Sequence, residues 1–210
     1  MSTQTVRAVL DRYGTTLAAE ARLRLENRPA ALFQLLVLAE LVSARIASSV
    51  AVATAVELRT AGWTTPQRMA AAARQPLVAA LGRGGYRRFD LRTAAQLHEL
   101  AETVLTRYGC DLRRLARAAD EDVARATALL REFPGIGPVG AAVFLREVQA
   151  VWPWVRPFLD DRCRGGARRI GLPGDATALA ALVPGEEFAR LASALTRVSR
   201  VREGEDPLGS

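Results

Sequence analysis

The chain has 210 residues, half of them hydrophobic, and a formal charge of +7; this is enough for one sizeable core or two small lobes, and too apolar for a disordered tail. All 29 basic residues are arginine, which excludes a lysine Schiff base, while two cysteines and one histidine exclude a disulfide framework, a four-thiolate cluster and a histidine-rich metal site. No apolar run reaches the ~20 residues of a membrane span, the start lacks a signal-like apolar segment, and the basic balance suits an anionic partner; the expected compartment is the reducing cytoplasm.

Ala and Leu dominate and β-branched runs are scarce, so the chain reads as all-α. A helix is predicted from Val6 to about Leu25, with a loose join near Gly14. Pro29 then starts a helix that is apolar nearly all round from Ala31 to Val42, the pattern of a buried central helix. Residues 43–48 interrupt it, and a second helix follows to Arg59. Thr65 and Pro66 mark another start, "QPLVAALGRGG" ends on glycines, and a long helix runs from about Tyr86 to the stop at Gly109. Leu129, Leu130 and Phe133 lie on a helix that ends at Pro134. After a Trp152-Pro153-Trp154 kink come a short helix in "DATALAAL", a last helix over 186–201, and a polar tail.

The turn Pro134-Gly135-Ile136-Gly137 joins two helices, the second starting near Pro138. Glycine tolerates positive φ and lets another backbone come close. Exposed amides at such a turn, pointing with the next helix's N-terminus, suit a phosphate. Arg131 precedes the turn, and Arg162, Arg164 and Arg168 follow it by about one helical hairpin; such contacts position a protein without reading bases. A plain helix corner remains the alternative.

"LLREFPGIGPVGAAVFLRE" resembles the helix-hairpin-helix motif of the DNA glycosylase superfamily that includes endonuclease III. "PFLDDRCRGGARRIGL" is similar to the family's later segment, and "PAALFQLLVLAELVSARIAS" to its buried helix. The resemblance implies an all-α fold of two helical lobes flanking a cleft, in a single domain over 1–204. Lobe A would cover about 28–112 and lobe B 1–27 plus 113–204, with a flexible tail at 205–210. It implies phosphate contacts along Gly135, Ile136, Gly137 and Val139, and a monovalent cation, Na+ or K+, at the Phe133 and Gly135 carbonyls.

The same resemblance sets Asp160 on the catalytic aspartate, where a carboxylate can stabilise an oxocarbenium-like sugar or activate water. Asp161 competes for the role, and either acid can instead cap the following helix. Glu40 lies close to the catalytic glutamate of adenine-specific relatives. The strand-cleaving lysine of the family is Val139 here, a histidine is Arg162, and the glutamine that enters the opened base stack is Arg45. "LGRGGYRRFDLRTA" lies where relatives carry a wedge loop: Arg83 or Tyr86 would plug the gap, and Arg87 and Arg88 would meet phosphate. Four spaced cysteines near the end are missing, so no iron–sulfur cluster and no other cofactor is expected.

These features imply a monofunctional DNA glycosylase, a monomer that hydrolyses the N-glycosidic bond of a damaged or mismatched base in duplex DNA without lyase activity and without a membrane. The alternative is a catalytically inactive DNA-binding or lesion-sensing protein of the same fold.

Overall fold

The computed structural model describes residues 2–44, 46–86, 90–202 and 204–209. About 66% of the chain is helical, and no strand occurs among the described residues. The helices are α1 (Ser2–Tyr13), α2 (Leu17–Glu20), α3 (Pro29–Ser43), α4 (Ser48–Thr60), α5 (Pro66–Ala70), α6 (Arg74–Arg83), α7 (Asp90–Tyr108), α8 (Arg113–Ala118), α9 (Val123–Leu130), α10 (Pro138–Val148), α11 (Asp161–Arg169), α12 (Ala176–Ala180) and α13 (Phe188–Val198). None of them is long and apolar enough to cross a membrane. By compactness the chain divides into a continuous unit, Ala18–Phe144, and a discontinuous one, Met1–Leu17 with Leu145–Ser210.

In the continuous unit α3 is the axis. Pro29 occupies its first turn, and Ala31 to Phe33 and Leu35 to Leu41 are all buried, as the all-round apolar pattern requires. It packs on α4, α4 on α6, and α7 on both α5 and α6. Thr65 caps α5 by accepting from the Arg68 amide, and Asp122 caps α9 by accepting from the Arg125 amide, each satisfying an amide that has no partner within its helix.

The discontinuous unit is built on α13. One face of α13, with Phe188, Leu191, Leu195 and Val198, packs with Val6, Val9 and Leu10 of α1 and with Cys163 and Ala167 of α11. Gly166 permits that approach, because a Cβ there would lie 1.9 Å from the Leu195 carbonyl oxygen. The stretch after residue 204 departs from the flexible tail expected. Tyr13 donates its hydroxyl to the Pro207 carbonyl at 3.0 Å, Pro207 is buried, and Leu208 packs against the same core. A proline and a leucine at the end of an otherwise polar tail thus supply an apolar anchor.

Candidate active site at Glu40 and the glycine hairpin

The hairpin belongs to the continuous unit. Phe133 stacks on Tyr108, centroids 5.6 Å apart, and its carbonyl accepts from the Ile136 amide at 3.1 Å. Gly135 has φ +80°, a conformation that side chains other than glycine's rarely adopt. Ile136 is buried beneath the turn, whereas Val139 is 41% exposed on the first turn of α10. Nothing lies within 4 Å of the space a Gly137 Cβ would take. The start of α10 thus keeps open backbone around first-turn amides, which a helix leaves without internal partners.

α3 comes up under this turn. Ser43 donates from Oγ to the Glu40 carbonyl at 2.7 Å and stands 3.2 Å from the Gly135 carbonyl. A Cβ at Gly135 would meet Glu40 Cγ at 2.8 Å and Oε1 at 2.9 Å, so the glycine is what lets the carboxyl fit. Glu40 is 3% exposed, and its Oε2 is buried without a hydrogen-bond partner among the described residues. Burial pushes its pKa up to about 8, so the side chain is mainly a neutral acid at pH 7, because removal from water disfavours the charged form.

Glu40, Ser43, Tyr86, Thr93, Gln96 and Gly135 are among the residues lining a cavity of about 230 Å³. That is below the roughly 300–1,000 Å³ of pockets for drug-sized ligands and suits a smaller planar group. The lining supplies a carboxylic acid, three hydroxyls, an amide and the Arg92 guanidinium, so it can both donate to and accept from a polar heterocycle.

Tyr86 differs from its expected role as a wedge. It is 2% exposed, its hydroxyl lies 3.5 Å from the Leu41 carbonyl, and desolvation followed by the Glu40 charge raises its pKa. Its ring forms a pocket wall because the glycine turn before it folds the chain back over α3. Arg83 pairs with Glu57 at 2.8 Å on the surface. Arg131 is exposed at the end of α9. Arg45, Arg87 and Arg88 lie outside the described residues.

The discontinuous unit holds the other predicted acids. Asp160 is the N-cap of α11: Oδ1 accepts from the Cys163 amide at 2.9 Å, and Oδ2 meets Arg146 Nη1 at 2.6 Å. Asp161 follows it, exposed, at the first helical position. Arg162 and Arg168 are exposed, whereas Arg164 donates to the Gly174 carbonyl at 2.8 Å and supports a loop. Cys163 is buried and its pKa is pushed up to about 11, chiefly by desolvation and next by the Asp160 charge, which leaves it an inert thiol. Arg146 is the residue that sequence reading missed. It sits in an ordinary helical pattern, and its partner is 14 positions away. No group of three or more His, Cys, Asp and Glu among the described residues has a metal-binding arrangement.

No family model matches the chain, and no curated protein matches it. Among solved structures it is similar to a non-covalent endonuclease III–DNA complex, with 18% identity, a TM-score of 0.51, and coverage of 99% of this chain and 90% of that one. It is also similar to a trapped endonuclease III–DNA covalent intermediate, an estranged-adenine complex, with 16% identity, a TM-score of 0.48, and coverage of 93% and 85%. The chain thus has an all-α, endonuclease III-like fold.

Proposed function

We propose that this protein is a monofunctional DNA glycosylase that hydrolyses the N-glycosidic bond of a damaged or mismatched base in duplex DNA. The observation that carries the reading is the Glu40 carboxyl, buried, its pKa raised by desolvation, and unpartnered at Oε2 among the described residues, lining a cavity beside the hairpin. A base must leave the stack to be excised, and this cavity is of a size to receive one. Glu40 then donates its proton to the base as the C1′–N bond breaks and the bonding electrons pass to the base. Water adds to the cationic C1′, and its released proton restores the acid. The α10 amides and the open backbone at Gly137 hold a phosphate meanwhile.

Asp160 lies in the other unit, fixed by Arg146 and by the start of α11, an arrangement that suits a stationary negative charge rather than a mobile base. With no lysine in the chain, strand cleavage by a Schiff base is not expected. The Phe133 and Gly135 carbonyls each keep a lone pair beyond the bonds described and fit a monovalent cation in donor type; the ion, when bound, would add positive charge where a phosphate docks.

A panel of lesion duplexes, treated with alkali after incubation, tests the reading. Breaks are expected for at least one lesion and are expected to vanish in Glu40→Gln, with duplex binding retained. Equal base release by that variant and the wild type would sink the Glu40 role. One observation favours a second reading, a non-catalytic DNA-binding protein. Both Asp160 oxygens already hold structural partners, and this reading predicts duplex binding with no base released from any lesion.

A further inference from the structure

Around Asp160 the charges do not balance. Its ion-pair partner Arg146 is 3% exposed, and its Nε is buried with no hydrogen-bond partner among the described residues, so this guanidinium is only partly satisfied there. Arg162, in the first turn of α11, and Arg200, just past the end of α13, are both exposed. Among the described residues neither takes part in an ion pair. Arg197 directs Nη1 to the Tyr13 carbonyl at 2.7 Å and also to that of Thr15.

Cys163 ties the two helix ends together, its Sγ lying 3.2 Å from Thr196 Oγ1, and Arg200 follows Thr196 by one helical turn. The pKa of Arg200 is lowered by partial desolvation and then by the charges of Arg162, Arg146 and Arg197, with Asp160 opposing. The contact between the start of α11 and the end of α13 thus brings Arg162 and Arg200 toward the Arg146–Asp160 pair, beside the first-turn amides of a nine-residue helix. Such a concentration of like charge, over a buried arginine with an unused donor, is stabilised by an anion.

We propose that Arg162 and Arg200, flanking the buried Arg146–Asp160 pair at the start of α11, form a binding site for one backbone phosphate of duplex DNA. The proposal takes DNA as the partner from the function proposed above but does not require base release. The forked guanidiniums donate to two phosphate oxygens, and the α11 amides and the Arg146 charge lie beneath.

The test is the salt dependence of duplex binding by the full chain, wild type against Arg162→Gln/Arg200→Gln, with melting temperature measured in parallel. The double variant is expected to melt like the wild type and to bind roughly three- to tenfold more weakly, equally on every sequence. Its slope of log affinity against log salt should be smaller by about one. Arg162→Lys/Arg200→Lys should recover most of the slope, since a lysine charge still binds phosphate. An unchanged slope in a folded Gln variant, or no duplex binding by the wild type at low salt, overturns the proposal. A second arm uses inorganic phosphate: stabilisation of the wild type but not of the Gln variant, with an unchanged duplex slope, would assign the site to free phosphate and overturn it as well. Base release is measured separately, so a changed slope without base release removes the glycosylase reading and leaves this site standing.

Discussion

Glu40 and Asp160 are both carboxyl groups with little access to solvent, yet the chain treats them in opposite ways. Among the described residues one Glu40 oxygen has no hydrogen-bond partner, and desolvation pushes its pKa up to about 8. Asp160 has a guanidinium at 2.6 Å and a helix-start amide at 2.9 Å. A proton that can be given away belongs to the first environment, and a fixed negative charge to the second. The larger expected chemical effect therefore sits at Glu40. In single-turnover assays Glu40→Gln should slow base release by about 10²- to 10⁴-fold, the range for a lost general acid, with duplex affinity nearly unchanged.

Asp160→Asn should break the comparison from the other side, through stability. Asparagine still caps α11, but Arg146 becomes a buried charge without a counter-ion, at a cost of about 3 kcal/mol. For a chain of this size the melting temperature should drop by about 6–12 °C. Asp160→Asn/Arg146→Met removes the stranded charge and should recover much of that loss. Base release by the recovered double variant then reports whether the Asp160 charge matters to the chemistry. If Asp160→Asn melts like the wild type, the ion pair is not holding the start of α11.

Glu40 also makes stability depend on pH. The Glu40 carboxyl goes from an ordinary 4.5 to about 8 on folding. Below pH 4.5 both states hold the proton and stability is at its fullest. Between 4.5 and 8 the unfolded chain releases a proton that the folded chain keeps, so stability falls as pH rises, by up to about 1.4 kcal/mol per unit. Above 8 both states are ionised and the loss levels off. Denaturant titrations at pH 6 and pH 8 should show Glu40→Gln gaining about 2 kcal/mol on the wild type over that interval. A constant difference would mean that Glu40 is already ionised when folded.

Much of this was legible in the sequence where the signal is local. The all-round apolar run of α3, its break at residues 43–48, the proline starts and the glycine hairpin each follow from backbone rules, and the helices appear there. Glu40 carried a signal that the resemblance overshadowed: an acid inside a helix apolar on every side must be neutralised or paired. Tyr86 was harder, since a tyrosine after two glycines and before two arginines reads as a surface loop, and only the packing around α3 buries it. Arg146 offered no local sign, because its partner arrives from beyond the Trp-Pro-Trp kink and a charge at that spacing also suits a solvated helix face. Pairing between distant segments is where one-dimensional pattern stops being informative.

The finest contrast lies within the hairpin, between its two glycines. Gly135 combines φ +80° with a missing Cβ that would press on Glu40 Cγ and Oε1, whereas the Gly137 position is open and its φ is not positive. Gly135→Ala should therefore cost about 1–2 kcal/mol through backbone strain. It should also lower base release, because the Glu40 carboxyl must move to make room. Gly137→Ala should stay within about 0.5 kcal/mol of the wild type, and any loss should be in duplex affinity, where a methyl crowds the approaching phosphate. Denaturant titration and duplex binding of both variants separate the two roles. Equal stability losses would show that the turn is held by its general shape rather than by the fit between Gly135 and Glu40.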